Sequence, residues 1–176
     1  MKSLDKILIG CKKNKAWAQA ELFAIFSDKM YGICRFYSGS TQDAEDLLHD
    51  GFLKVFENIN KYKTDNFEAW MRRVFVNLAL MRYRKNKRQL SVDDIEAVSE
   101  QVEEFDENIQ IHADDLMAMI AKLPTQYRLV FNLYAIEGYK HQEIGEMLEI
   151  TESTSKSNLS RARKILQKQL NEVEDR

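Results

Sequence analysis

Proline and glycine are scarce, with one Pro and six Gly among 176 residues. Globular chains carry roughly 12% of the pair. A chain this poor in turn-formers has little means of making many hairpins, which excludes an all-β sandwich or barrel. Cysteine is limited to Cys11 and Cys34, which form no CxxC pair and no disulfide framework. That usage fits a reducing cytoplasm, the expected location. No apolar run approaches the roughly 18–20 residues that span a bilayer, so no stable membrane insertion is expected. The opening MKSLDKILIGCKKNK breaks a short apolar patch with charge and has no small-residue cleavage site, so it is not expected to be a secretion signal. Catalytic signatures are missing as well. There is no Ser-His-Asp pattern, P-loop or Gly-rich nucleotide motif. His49, His112 and His141 share no ligand spacing with the cysteines. Neither a metal site nor a cofactor is expected.

Net charge is the last apparent absence. The chain holds 26 basic and 28 acidic residues, a formal −2. That total conceals segregation. Residues 1–90 carry 17 basic and 10 acidic residues, a net +7. Residues 91–110 carry 8 acids and no base, and residues 111–176 carry 9 bases and 10 acids. The segment SVDDIEAVSEQVEEFDENIQ opposes its own compaction and is expected to be a linker between domains 1–90 and 111–176. An acidic helix face of one continuous domain is the other reading. Arg72, Arg73, Arg82, Arg84, Lys85, Lys87 and Arg88 fall in one stretch without an acid. That is the footprint of a polyanion-binding surface, or else a solvated helix end with cations near the C-terminal dipole.

What is present is helical periodicity. Leu22, Phe26, Met30, Ile33 and Tyr37 predict a helix over 16–37. SGST breaks it. Ser40 or Thr41 is expected to cap the next helix, with Asp43 completing a capping box from Ser40. That helix runs to about Asn58, with Leu48, Phe52, Val55 and Ile59 inward and Asp43, Asp46, Asp50 and Glu57 on a different, acidic face. After the polar connector KYKTDN, a helix over 67–88 places Phe67, Trp70, Met71, Val74, Leu78 and Met81 inward. Its second stripe is Arg73, Asn77, Leu80, Arg84 and Arg88. Beyond the linker, residues 111–123 form a helix with Leu116, Met119, Ile120 and Leu123 inward. Pro124 starts another helix and Gly138 ends it. The expected fold class is all-α.

YKHQEIGEMLEITESTSKSNLSRARKIL, residues 139–166, has the shape of a helix-turn-helix: a short amphipathic helix, a turn, then a helix capped by Thr151. Ile144, Leu148, Ile150 and Leu159 hold the pair, and Gly145 lies where the two helices approach. The second helix opens with small polar residues and turns basic later, an order that suits the major groove. An ordinary helical hairpin with a charged surface is the plainer alternative.

Here the chain resembles the bacterial RNA polymerase sigma factors of the sigma-70 type, in the small extracytoplasmic-function (ECF) subgroup. LPTQYRLVFNLYAIEGYKHQEIGEMLEITESTSKSNLSRARKIL is similar to the promoter-recognition domain, although the family often has Gly, a β-branched residue and Arg where this chain has Ser153, Ser155 and Asn158. Independently, DAEDLLHDGFLKVFENINKYKTDNFEAWMRRVFVNLALMRYRK resembles the family's core-docking helix, loop and DNA-melting helix.

The resemblance implies a non-enzymatic initiation factor. Its partners would be core RNA polymerase (the clamp coiled coil and the flap), promoter DNA and, as for many relatives, an anti-sigma factor. Asp43, Glu45, Asp46 and Asp50 would meet a basic coiled coil, with Leu47, His49, Leu53 and Phe56 adding apolar contact. Asp43 and Glu45 equally suit the helix dipole as first-turn acids. Lys61, Tyr62, Lys63, Thr64, Asp65 and Asn66 would receive an extruded base of the −10 element, and Arg72, Arg73, Asn77, Arg82 and Arg84 would hold the non-template strand. Phe67 and Trp70 are expected in the core, leaving Tyr62 and Tyr83 as stacking candidates. In the −35 element, Thr154, Ser155, Lys156 and Asn158 would contact the groove, and Ser160, Arg161 and Arg163 the backbone. A stand-alone helix-turn-helix regulator accounts for residues 139–170 but not for the acidic and basic helices, and a helical adaptor with no DNA role must treat both basic surfaces as solvated faces.

Overall fold

The computed structural model describes residues 3–63, 66–89 and 113–174, and every regular element among them is helical. The chain forms two compact units, Met1–Met81 and Arg82–Arg176. The expected linker over 91–110 lies outside the described residues. The division falls inside a helix.

The first unit holds α1 (Leu4–Lys12), α2 (Ala16–Tyr37), α3 (Thr41–Asn58) and most of α4 (Phe67–Gln89). Helix α1 was not expected, because its nine residues mix lysines with a short apolar patch. It is stabilised by tertiary contact: Ile7, Leu8 and Cys11 are buried, and Gly10 lies under Trp17 and Ala18 of α2. Asn14, at φ 52°, turns the chain between them in the left-handed region that Asn tolerates. Helix α3 begins as expected. Ser40 Oγ accepts from the Asp43 N–H at 3.1 Å and donates to the Asp43 carboxylate at 2.7 Å.

The core joins Leu22, Phe26 and Met30 of α2, Phe52 and Val55 of α3, and Met71, Phe75 and Leu80 of α4. The Phe75 ring lies directly over Gly51, where any Cβ would overlap it, and stands edge-on to Phe52 at 5.6 Å. Helix α4 buries more of its circumference than expected. Leu80, placed in the outward stripe, is 2% exposed, and Met81, placed inward, is 51% exposed. The outward row is therefore Arg73, Asn77, Met81 and Arg84. Trp70 and Val74 are only half-buried.

The second unit contains α5 (Ala113–Ala121), α6 (Thr125–Phe131) with a π turn over Asn132–Ile136, α7 (His141–Leu148) and α8 (Glu152–Glu174). Met119, Ile120 and Leu123 are buried, whereas Leu116, expected inward, is exposed. Pro124 precedes α6 and accepts at its carbonyl from the Arg128 N–H at 3.0 Å. The buried Arg128 donates from Nη1 to the Ala121 carbonyl at 2.9 Å, satisfying the C-terminal end of α5. Gly138, at φ 77°, ends the π turn. Among the described residues, no helix is long and apolar enough to cross a membrane.

The Gly51 contact predicts opposite outcomes for one substitution at two sites. Gly→Ala inside a helix ordinarily stabilises by about 0.5–1 kcal/mol. Gly32→Ala should do so, because a Cβ there meets nothing within 4 Å. Gly51→Ala should instead destabilise by about 1–3 kcal/mol through overlap with Phe75. Urea unfolding followed by fluorescence checks both, since the two tryptophans, Trp17 and Trp70, lie in the first unit.

Candidate partner and nucleic-acid interfaces

Packing divides α3 lengthwise. Ala44, Leu47, Leu48, Gly51, Phe52 and Val55 face the core. Asp43, Glu45, Asp46, His49 and Asp50 are exposed, so these acids share the solvent side. Leu53 stands among them 60% exposed, and Phe56 is half-buried beside it. Leu47 is 3% exposed and belongs to the core, not to this face. It lies three residues after Ala44 and four before Gly51, on the inward row. Sequence reasoning missed Phe23, an exposed α2 residue that packs on Phe52 at 4.7 Å and widens the apolar patch.

The connector and α4 form a second surface. Lys61 ends a short 3-10 turn (Ile59–Lys61), and its Nζ donates to Asn58 Oδ1 at 2.8 Å. Lys63 is exposed, and Thr64 and Asp65 lie outside the described residues. Asn66 caps α4, its Oδ1 accepting from the Ala69 N–H at 2.9 Å. Tyr62 stands edge-on to the buried Phe67 at 5.1 Å and packs on half-buried Trp70 at 5.6 Å. Its ring is thus anchored by an aromatic cluster. Tyr83 is also half-buried, and burial pushes its phenol pKa up. Arg73, Asn77, Lys85 and Lys87 are exposed on α4, and Arg72, Arg82 and Arg84 are half-buried. The side chain of Arg88 lies outside the described residues. Beside the connector, Lys29, Met30, Ile33, Asn66, Glu68 and Arg72 line an open groove of about 540 Å³, with Lys29 and Glu68 paired at 2.9 Å on its rim.

The helix-turn-helix is built as its sequence suggests. Glu149 takes a left-handed conformation, φ 56°, and Thr151 Oγ1 accepts from the Thr154 N–H at 3.0 Å to start α8. Gly145 lets the turn come close, since a Cβ there would lie 2.8 Å from the Ile150 carbonyl oxygen. The buried row of α8 is Ser155, Asn158, Leu159, Ala162, Leu166 and Leu170. Ser155 and Asn158, expected at the groove, are 0% and 2% exposed and face the other helices. Thr154, Ser160, Arg161 and Arg163 are half-buried, and Lys156 is exposed. Ser153, Ser157 and Lys164 share the outward side with Ser160. The leucine row from Leu170 back through Leu159, continued by three and four residues, lands on Ser155. That signal was available in the sequence.

His141 opens α7 and binds it to α8. Its Nδ1 lies 2.9 Å from Ser155 Oγ, and its ring stacks on Tyr134 at 4.6 Å. The Arg163 guanidinium lies 5.8 Å from the Tyr134 centroid on the same ring. Arg161 sits similarly over Tyr127 at 5.9 Å. Burial, then the Lys156 and Arg163 charges, hold His141 below its ordinary pKa of 6.5, against the opposing pull of Glu152. The Glu152 carboxylate is itself lowered by its hydrogen bond to Lys156. A depressed imidazole pKa means that the unfolded chain takes up this proton first. Its contribution to stability should therefore be complete above about pH 6.5 and lost as pH falls toward the lower folded value. Thermal unfolding of the full chain from about pH 7.5 to 5.5 should show this loss, and His141→Gln should reduce it.

Comparison with known proteins finds a match in each half of the chain. The family model "Sigma-70 region 2" matches residues 22–89, and "Sigma-70, region 4" matches residues 113–166. The chain is 31% identical to the ECF RNA polymerase sigma factor SigW of Bacillus subtilis, over 92% of this chain and 94% of that one. It is 32% identical to the ECF RNA polymerase sigma factor SigE of Mycolicibacterium smegmatis, over 83% of this chain but 59% of that longer protein. In fold it is similar to the sigma factor RpoE of Bartonella quintana, solved in complex with the anti-sigma factor NepR, with a TM-score of 0.51 at 21% identity over 88% of this chain and 96% of that one. With both family regions matched in order and a relative covered nearly end to end, this chain belongs to the ECF subfamily of the sigma-70 RNA polymerase sigma factors.

Proposed function

We propose a division of labour in which residues 1–90 dock on core RNA polymerase and open the −10 element, residues 91–110 act as a tether, and residues 111–176 hold the −35 element. The observation that supports it is the sorting of charge onto separate faces. An acidic face with Leu53 at its centre lies on α3, and an outward Arg–Asn row lies on α4. Asp43, Glu45, Asp46, His49, Asp50, Leu53 and Phe56 take the polymerase clamp, with Phe23 beside them. Charge complementarity there speeds encounter and fixes orientation more than it adds affinity. Lys61, Tyr62, Lys63, Thr64, Asp65 and Asn66 receive the extruded base, and Arg72, Arg73, Asn77, Arg82 and Arg84 hold the displaced strand. The groove-facing set on α8 becomes Ser153, Lys156, Ser157 and Ser160, with Arg161, Arg163 and Lys164 toward phosphate. Ser155 and Asn158 act from inside the helix pair. The protein works in the cytoplasm and supplies positioning rather than bond chemistry, which belongs to the polymerase. An anti-sigma factor is a further partner on this reading, as for the Bartonella protein.

Addition of the chain to sigma-free core polymerase with a promoter library, followed by sequencing of transcripts, tests the whole reading. Promoter-specific RNA is expected. DNA binding without polymerase dependence would instead indicate a stand-alone regulator. Replacing Asp43, Asp46 and Asp50 together by Lys should weaken core binding at least tenfold, a loss of about 1.4 kcal/mol or more. Unchanged affinity in a fluorescence titration with core would overturn the docking assignment. Lys164→Ala should weaken promoter binding across sequences and lower the salt slope by about one, whereas Ser157→Ala should alter preference at one position.

A further inference from the structure

Ser155 is fully buried in α8, and its hydroxyl has His141 as its partner across the helix pair. A polar pair thus sits inside otherwise apolar packing at this point. The pair also reaches outward. His141 lies flat on Tyr134, and the other occupant of that aromatic ring is Arg163, on the part of α8 assigned to phosphate. One titratable ring is thus linked by a hydrogen bond to the first turns of α8 and by a shared aromatic to its basic middle.

We propose that His141 is a proton-linked positioning residue for promoter binding: duplex DNA seated on α8 draws a proton onto His141, so that binding tightens as pH falls. The inference rests on the reading that α8 faces DNA. The charged and titratable groups around the ring are Glu152, Lys156 and Arg163 from α8, Tyr134 from the π turn, and Lys140 and Glu143 of its own helix segment. Glu143 is turned to the Lys140 N–H at 2.7 Å. Lys156 is paired with Glu152 at 2.6 Å. In the free protein the two nearby α8 cations oppose a third positive charge, together with burial. A phosphate chain approaching Lys156 and Arg163 offsets that repulsion and favours the imidazolium. By linkage, whatever raises proton affinity on binding DNA must raise DNA affinity on binding the proton. The proton, taken from solvent, forms one N–H bond at Nδ1 and breaks no bond of the protein. Nδ1 keeps Ser155 as its neighbour in either state, accepting from the hydroxyl when unprotonated and donating to it when charged.

The test follows the His141 imidazole resonance by NMR in the full chain, with and without a short random-sequence DNA duplex at low ionic strength. Phosphate attraction does not depend on sequence. The His141 titration should move to higher pH with DNA. Affinity for the duplex should rise about threefold to tenfold from about pH 7.5 to pH 6, up to one proton's worth per pH unit. His141→Gln, which keeps a polar partner for Ser155, and His141→Phe, which keeps a ring on Tyr134, should both bind with that pH dependence removed. If DNA shifts the α8 resonances but the His141 titration is unmoved, the proton linkage is wrong and the DNA-facing assignment stands. If DNA leaves α8 unshifted, the assignment itself falls, and this inference with it.

Discussion

The Phe75 ring seated on Gly51 is the contact around which the first unit is organised. It brings α3 and α4 together more closely than any side chain at residue 51 would permit. It also sets the rotation of each helix about its own axis. With Gly51 and Phe52 turned inward, the positions opposite them on α3 must face water, and these include Asp46, Asp50 and Leu53. With Phe75 and Met71 inward, α4 must turn Arg73, Asn77 and Arg84 out. The two charged faces are consequences of one packing decision, because a helix cannot bury a side without exposing its opposite.

Electrostatics then acts on faces that packing has already chosen. Acids gather on α3 and cations on α4, and the outward side of α8 mixes hydroxyls with cations. Most of these charges are exposed, and exposed ion pairs such as Lys54–Glu57 at 2.7 Å contribute little to stability. Their value lies in the field presented to a partner. A chain with a formal charge of −2 can therefore present surfaces of both signs.

The second unit follows a different compromise. Its core contains Arg128, Asn132, Ser155 and Asn158, polar groups whose burial has a cost unless they are hydrogen-bonded. Arg128 offsets part of its cost by donating from Nη1 to the end of α5, and Ser155 by pairing with His141. These bonds specify how α6 meets α5 and how α7 meets α8, which apolar packing alone would leave less determined. The same polar insertions place a titratable ring against the first turns of α8.

Much of this was legible in the sequence. The ends of α2 and α3, the Ser40 and Thr151 caps, the helix-turn-helix and the separation of charge all rest on local rules: apolar spacing, capping chemistry and turn residues. Helix α1 was not legible, since its stability comes from α2 lying over Gly10. The exchange of Leu80 and Met81 was missed because α4 is buried over a wider arc than a single stripe. Leu47, Ser155 and Asn158 were placed at interfaces by residue type, and each turned inward with the buried row of its helix. The sequence by itself determined the all-helical class, the order of the two regions and the chemistry available on each helix. Only the tertiary structure decided which of those side chains remain at the surface, because the rotation of a helix about its axis is set by its neighbours and not by its own residues.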